Sequence, residues 1–279
     1  MALLRTTSSA ASVPEGCDTS RVDFMDPDSI AEKLAGSDVI LHCAGATSAG
    51  SREEFDRANG LVTANLLRAR RAVCPDALFV YVSSQAASGP SGEGPVTAYG
   101  RSKLLGEFAV RDEENWVIVR PPAIFGPGDP ASAPVIRMAI RGLFLSPRMD
   151  RGGFALVYAP DLAELLVMLP DSPSAVGRVL EPSYGRLFSW REFHRILEYG
   201  AGRRILHVRV PPFLVHTAGF MSEALAALAG RTPFFCRDKC RELLVCDWLV
   251  EEGTTWELTG WKPSVPVEEA MASTFGSYR

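Results

Sequence analysis

Tyr99 and Lys103 stand four residues apart in the stretch Thr97-Ala98-Tyr99-Gly100-Arg101-Ser102-Lys103-Leu104-Leu105-Gly106-Glu107. On a helix that spacing puts both side chains on one face, one turn apart. An ammonium beside a phenol favours the phenolate, and lowers a phenol that ordinarily titrates near ~10 by about 1–3 pH units. Tyr99 could then exchange a proton with a substrate hydroxyl near neutral pH. With six Tyr and four Lys in 279 residues, about 0.1 such pairs are expected by chance, so the pair needs support from the elements around it.

Those elements alternate. Ala2-Leu3-Leu4-Arg5 is a short apolar run, and Val22-Asp23 a second extended piece. Asp26-Pro27 opens a helix that Gly36 ends, with Ile30 and Leu34 as its apolar face. Asp38-Val39-Ile40-Leu41-His42 reads as a buried strand, and Arg52 to Val73 as one helix with apolar residues at spacings of three and four. Leu78 to Val82 is a strand ending in Ser83-Ser84. The Tyr99 helix follows, and Trp116 to Val119 is a strand ending in Arg120-Pro121-Pro122. Strands alternating with helices predict a doubly wound, parallel α/β sheet. In such sheets ligands bind beyond the carboxyl ends of the strands. His42–Gly45, Ser83-Ser84 and Arg120–Pro122 all fall at those ends.

After Pro127 the chain changes character. Residues 127–153 are rich in Pro, Gly and Arg, Ala155–Tyr158 reads as a strand, and Asp161–Leu169 as an apolar helix. From about Ser183 the segment is mixed, with a Pro211-Pro212 break and an apolar helix over Ser222–Ala229. The reading is a first domain over 1–182, with 127–153 on the substrate side, and a smaller substrate-covering domain over 183–279. Phe193, Phe213, Phe220, Phe234 and Phe235 line an apolar pocket or, on the better reading, pack in a core.

A net charge of −4, with no stretch collecting like charges, argues against nucleic acid or an anionic membrane as partner. No apolar run reaches the ~18 residues of a membrane span. The start has one Arg in its first sixteen residues and no apolar run of the signal-peptide kind, so no targeting segment is assigned and a cytoplasmic location is expected. Cys236, Cys240 and Cys246 are loosely clustered without a Cys-x-x-Cys pair, and are read as reduced thiols with no metal site.

Taken together and in this order, these residues resemble the extended short-chain dehydrogenase/reductase family of NAD(P)-dependent epimerases, dehydratases and hydroxysteroid-dehydrogenase-like enzymes. Asp23-Phe24 resembles the family's adenine-contacting pair. His42-Cys43-Ala44-Gly45 resembles its cofactor-lining motif, and Asn59 its helical Asn. Tyr99 and Lys103 match Tyr-x-x-x-Lys, and Arg120-Pro121-Pro122-Ala123-Ile124 resembles the segment packed on nicotinamide. The resemblance implies a Rossmann-like fold and an oxidoreductase or epimerase acting on a secondary alcohol or ketone of a small-molecule substrate. In it Tyr99 is the general acid/base, Lys103 lowers its pKa and holds the nicotinamide ribose, and Ser84 or its neighbour Ser83 hydrogen-bonds the reacting oxygen.

Three departures qualify that expectation. The family opens with a strand and a Gly-x-x-Gly-x-x-Gly turn, and no such motif stands here; Ala2–Arg5 resembles its second strand, so the first strand reads as missing. Either this is a truncated reading frame of an active enzyme, or a non-catalytic relative acting as a binding or assembly protein. Gly60-Leu61-Val62 replaces the usual Val-x-Gly. Gln85-Ala86 replaces the acidic pair of sugar-nucleotide dehydratases, which argues against a dehydratase. Arg5, with no acid nearby, tilts the cofactor from NAD to NADP. A homodimer is left open.

Overall fold

Leu78-Phe79-Val80-Tyr81-Val82 and Trp116-Val117-Ile118-Val119 are apolar runs that only a sheet covered on both faces can bury. They are β4 (Leu78–Val82) and β5 (Trp116–Val119) of a four-stranded parallel sheet, with β3 (Val39–His42) and β9 (Arg178–Leu180) outside them in the order β3-β4-β5-β9. The computed structural model describes residues 1–9, 13, 15–149, 152–229, 235–245, 248 and 253–278. β1 (Ala2–Arg5) and β2 (Thr19–Val22) form a separate parallel pair, hydrogen-bonded to each other and not to β3. The parallel α/β class is as expected, and the sheet is divided where the resemblance leads one to expect a further strand.

Helix α1 (Pro27–Leu34), capped by the Asp26 carboxylate on the Asp28 N–H, buries Ile30 and Leu34. The predicted helix over 52–73 forms in three pieces. They are α2 (Arg52–Phe55), a π-helical turn (Asp56–Leu61) and α3 (Val62–Val73). Ile30 and Leu34, with Leu66 and Leu67 of α3, share one core with Val22, Ile40, Phe79 and Tyr81, so both sheet fragments lie under the same helices. On the opposite face, α6 (Ala159–Met168) covers Val80, Val117 and Val119 with Leu162 and Leu165. That cover stops short of β3, whose Leu41 is 45% exposed.

Residues 127–153 hold more regular structure than their Pro/Gly content foretold. They contain α5 (Ala133–Ile140) and β7 (Leu143–Pro147), while β6 (Ala123–Phe125) and β8 (Leu156–Tyr158) pair in parallel on either side. A third core joins Phe125, Ile136, Phe144 and Tyr158 to α7 (Trp190–Ala201) and α11 (Val267–Gly276). β10 (Leu206–Val210) pairs with β7. The helix expected at Ser222 starts earlier, because Pro212 sits comfortably in its first turn: α8 is Pro212–Leu228. Helices α9 (Arg237–Leu244) and α10 (Thr254–Thr259) complete the described elements.

Phe193, Phe213 and Phe220 do not gather. Phe193 packs edge-on against Phe144 and Phe154, whereas Phe213 and Phe220 are 66% and 59% exposed. Phe234 and Cys246 lie outside the described residues. Among those described, no helix is long and apolar enough to cross a membrane.

Arg70 ties α3 to the strands that carry the site. Its side chain is buried, and its three nitrogens donate to the Ala77 carbonyl at 2.8 Å, Glu113 at 3.0 Å and the Glu114 carbonyl at 2.9 Å. Removing one partner of a buried ion pair costs about 3–5 kcal/mol. Arg70→Ala is accordingly expected to lower unfolding free energy by about that amount in urea titration.

Candidate active site

Helix α4 (Ala98–Arg111) carries Tyr99, Lys103 and Glu107 at successive turns, and the first two were expected on it. Thr97 caps it by accepting from the Gly100 N–H at 3.1 Å. Its approach to β4 depends on two glycines. A Cβ on Gly100 would lie 2.2 Å from the Ala86 carbonyl oxygen, and one on Gly106 would lie 2.3 Å from the Tyr81 hydroxyl. Only glycine allows such contact, and it brings Tyr99 against the end of β4.

There the two serines separate in role. The Ser83 hydroxyl donates to Glu107 at 2.6 Å and is buried. The Ser84 hydroxyl lies near enough to the Tyr99 phenol to favour its ionised form. It also accepts from the Ala86 N–H at 3.2 Å, which opens a short 3₁₀ turn over Gln85–Ala87. Ser84 is therefore the serine that meets Tyr99.

The phenol is not lowered as expected. Burial holds it above the ordinary tyrosine range, the nearby Ser84 hydroxyl pulls it down, and the Glu242 charge raises it further. Lys103 spends its charge elsewhere. Its ammonium donates to the Val82 carbonyl at 2.7 Å and lies 4.5 Å from the Tyr81 ring centre. Burial lowers it to about 8, against the opposing pull of Cys43 and Glu107.

Asn59, in the π-helical turn, joins the end of β3 to α4. Its side chain accepts from the Ala46 N–H at 2.8 Å and donates to the Ala46 carbonyl at 3.0 Å and to the Ser102 hydroxyl at 2.8 Å. Gly45 passes so close that a Cβ would sit 2.7 Å from the Asn59 oxygen and 3.5 Å from the Lys103 nitrogen. Cys43, Ala44 and Gly45 are exposed beside this clamp, while His42 is buried, contacts the Thr63 hydroxyl at 3.0 Å, and is lowered to about 3 by burial. His42 is therefore neutral at working pH.

Other candidate residues lie apart from this cluster. Asp23, at the end of β2, accepts from the Met25 N–H at 2.8 Å, and Phe24 is buried in the first core. Arg5 is exposed at the end of β1, where Arg21 also arrives and donates to the Arg5 and Thr6 carbonyls. Pro121 is buried and Pro122 half-buried, while Ile124 is 38% exposed. Arg120 turns its guanidinium to Glu107, as a fork at 2.9 and 2.8 Å, with Glu181 at 3.5 Å.

Glu107 was not singled out by motif, although it lies four residues beyond Lys103. It is fully buried and accepts from Ser83 and Arg120 together. Two acids from α9 were equally invisible. Asp238 accepts from the Ala98 N–H at 2.8 Å and Glu242 accepts from Thr97 at 3.2 Å, so this distant helix covers the start of α4. Glu107→Leu strands the Arg120 cation, and a loss of about 3–5 kcal/mol in chemical unfolding is expected.

The model of the NAD dependent epimerase/dehydratase family matches residues 3–179. The ceramide reductase of Caulobacter vibrioides is 32% identical over 91% of this chain and 75% of its own length. UDP-glucuronic acid 4-epimerase from Bacillus cereus, solved with UDP-glucuronic acid and NAD, superposes with a TM-score of 0.70 at 16% identity, covering 95% of this chain and 82% of that one. RMD from Pseudomonas aeruginosa, solved with NADPH, gives 0.70 at 19% identity over 96% of this chain and 92% of that one. The parallel sheet, the carboxyl-end site and the match across most of the chain agree: this protein belongs to the NAD-dependent epimerase/dehydratase family.

Proposed function

We propose that the chain is an NAD(P)-dependent reductase of a ketone on an apolar, ceramide-like substrate. The observation that carries this reading is the placement of Tyr99 and the buried Lys103 one turn apart on α4, which Gly100 brings against the Ser84–Ala86 turn at the carboxyl end of β4. A phenol held above its ordinary range is protonated at neutral pH, which suits it to give a proton to a carbonyl oxygen rather than to take one from an alcohol. The similarity to the ceramide reductase supports the substrate class.

The residues present fit the nicotinamide half of a dinucleotide. An ammonium has three N–H donors. Lys103 gives one to the Val82 carbonyl, and the others suit a ribose diol. Lys103, Tyr99, Cys43–Gly45 and Pro121–Ile124 would hold nicotinamide and ribose. Asp23 and Phe24 would hold adenosine, and Arg5 with Arg21 would favour the 2′-phosphate of NADP. When bound, the cofactor supplies hydride.

Within the chain, Ser84 orients the substrate oxygen and Tyr99 delivers its proton. Lys103 holds the ribose from one turn along the helix, and Asn59 holds the β3 loop in place. Glu107 acts through Ser83 and Arg120, which fix the ends of β4 and β5.

The test is NADPH or NADH oxidation by the purified chain with the ketone form of a ceramide, with C4 epimerisation of UDP-glucuronic acid in the presence of NAD as comparator. Turnover of the lipid ketone, faster with NADPH, is expected. Tyr99→Phe should reduce kcat by about 10²–10⁴-fold, the usual worth of a general acid, with cofactor affinity nearly unchanged. Epimerisation of UDP-glucuronic acid with no turnover of the lipid ketone, or retained turnover in Tyr99→Phe, would overturn the assignment.

The pH profile reports Lys103 separately. The ammonium is charged below about 8 and neutral above it, so reduction should decline as pH rises through that value. Lys103→Arg, charged throughout, is expected to be slower but to lose this decline.

A further inference from the structure

Helix α8 turns its apolar side away from the protein. Its inward stripe is narrow. Val215 is buried, and a Cβ on Gly219 would fall 2.4 Å from the Cys240 sulfur of α9. On the other side Phe213, Leu214, Phe220, Met221, Leu225 and Leu228 are each between 46% and 87% exposed. Their spacings of three, four and seven place them along one face of a helix about 25 Å long.

The preceding strand continues the surface. β10 reaches α8 through Pro211. It pairs Leu206 with Leu143 and Val208 with Leu145. Leu206, Val208 and Leu145 are 67%, 39% and 44% exposed. A contiguous exposed apolar surface of this kind marks an interaction site.

The charge around it has one sign. Residues 130–149 and 199–222, which supply β7, β10 and the first half of α8, contain Arg137, Arg141, Arg148, Arg203, Arg204 and Arg209 and no Asp or Glu. All six arginines are exposed. Among the described carboxylates flanking these segments, Glu198 accepts from the Ile205 N–H, Glu223 accepts from Arg237, and Asp129 accepts from the Ala131 and Ser132 N–H groups. Neither segment alone is a basic run, so the sequence pattern spoke against an anionic membrane; the β7–β10 pairing joins them. The rest of the chain is acidic enough to leave a net charge of −4.

We propose that α8 and the β7–β10 edge form a surface that docks on an anionic lipid bilayer. The apolar face of α8 lies in the headgroup–acyl boundary and the arginines meet the lipid phosphates. The helix rests on the membrane and does not cross it. This docking does not depend on the reductase reading, because it is measured without cofactor or substrate.

The experiment is flotation of the full chain with vesicles of phosphatidylcholine alone or with about 30% phosphatidylglycerol. Flotation with the anionic vesicles is expected, at least about tenfold above the neutral ones at low salt, weakening toward 0.5 M NaCl as charges are screened. Phe220→Ser/Leu225→Ser should cut it at least about tenfold with an unchanged thermal midpoint, since both side chains are exposed. Arg148→Gln/Arg204→Gln should weaken anionic binding alone. The proposal is overturned if the parent chain stays in the soluble fraction, or if the apolar variant floats equally well. It is also overturned if this face instead holds two copies together, seen as a dimer that Phe220→Ser/Leu225→Ser dissociates while neither form binds vesicles.

Discussion

A single buried carboxylate, Glu107, sets the arrangement at the carboxyl ends of the strands. A charge in a low-dielectric interior is tolerated only when its acceptor sites are filled. Here Ser83 and both arms of the Arg120 fork fill them, and Arg120 reaches on to Glu181. Four elements are tied at one point: β4 through Ser83, β5 through Arg120, the end of β9 through Glu181, and α4 through Glu107 itself. Because Ser83 is spent on this anchor, its neighbour Ser84 is left to face Tyr99.

The second constraint is contact distance. Gly100 and Gly106 let α4 sit where any side chain would collide with the Ala86 carbonyl or the Tyr81 hydroxyl. Asn59 matches this from the other side by satisfying both backbone groups of Ala46 and the Ser102 hydroxyl. Its position on a π-helical turn, an arrangement that often marks functional sites, lets it reach the β3 loop and α4 at once. The cluster around Tyr99 is thus closely tied to both β3 and β4.

The ends of β1 and β2 are built differently. β1 and β2 bring Arg5, Arg21 and Asp23 to their carboxyl ends, yet they share only side-chain packing with the main sheet. The uncovered Leu41 on β3 lies beside the same division. Among the described residues no backbone pairing joins β1 to β3, and the two fragments meet in the core that α1 and α3 cover.

Much of this was legible in the residues. Period-four spacing places Tyr99, Lys103 and Glu107 on one helical face whatever the fold, because i and i+4 neighbours are set by the helix itself. Apolar runs ending in His42, Ser83-Ser84 and Arg120-Pro121 placed the site at the strand ends. Other features were out of reach. Which serine meets Tyr99 depends on where Glu107 is buried. The height of the Tyr99 pKa depends on desolvation and on Glu242, contributed by a helix far along the chain. The Pro212 start of α8 was hidden by reading Pro211-Pro212 as a break, though proline fits a first turn. The basic rim exists only once β7 and β10 pair. Local periodicity and chemistry are written along the chain, whereas burial and the meeting of distant charges are decided by packing, which no single stretch contains.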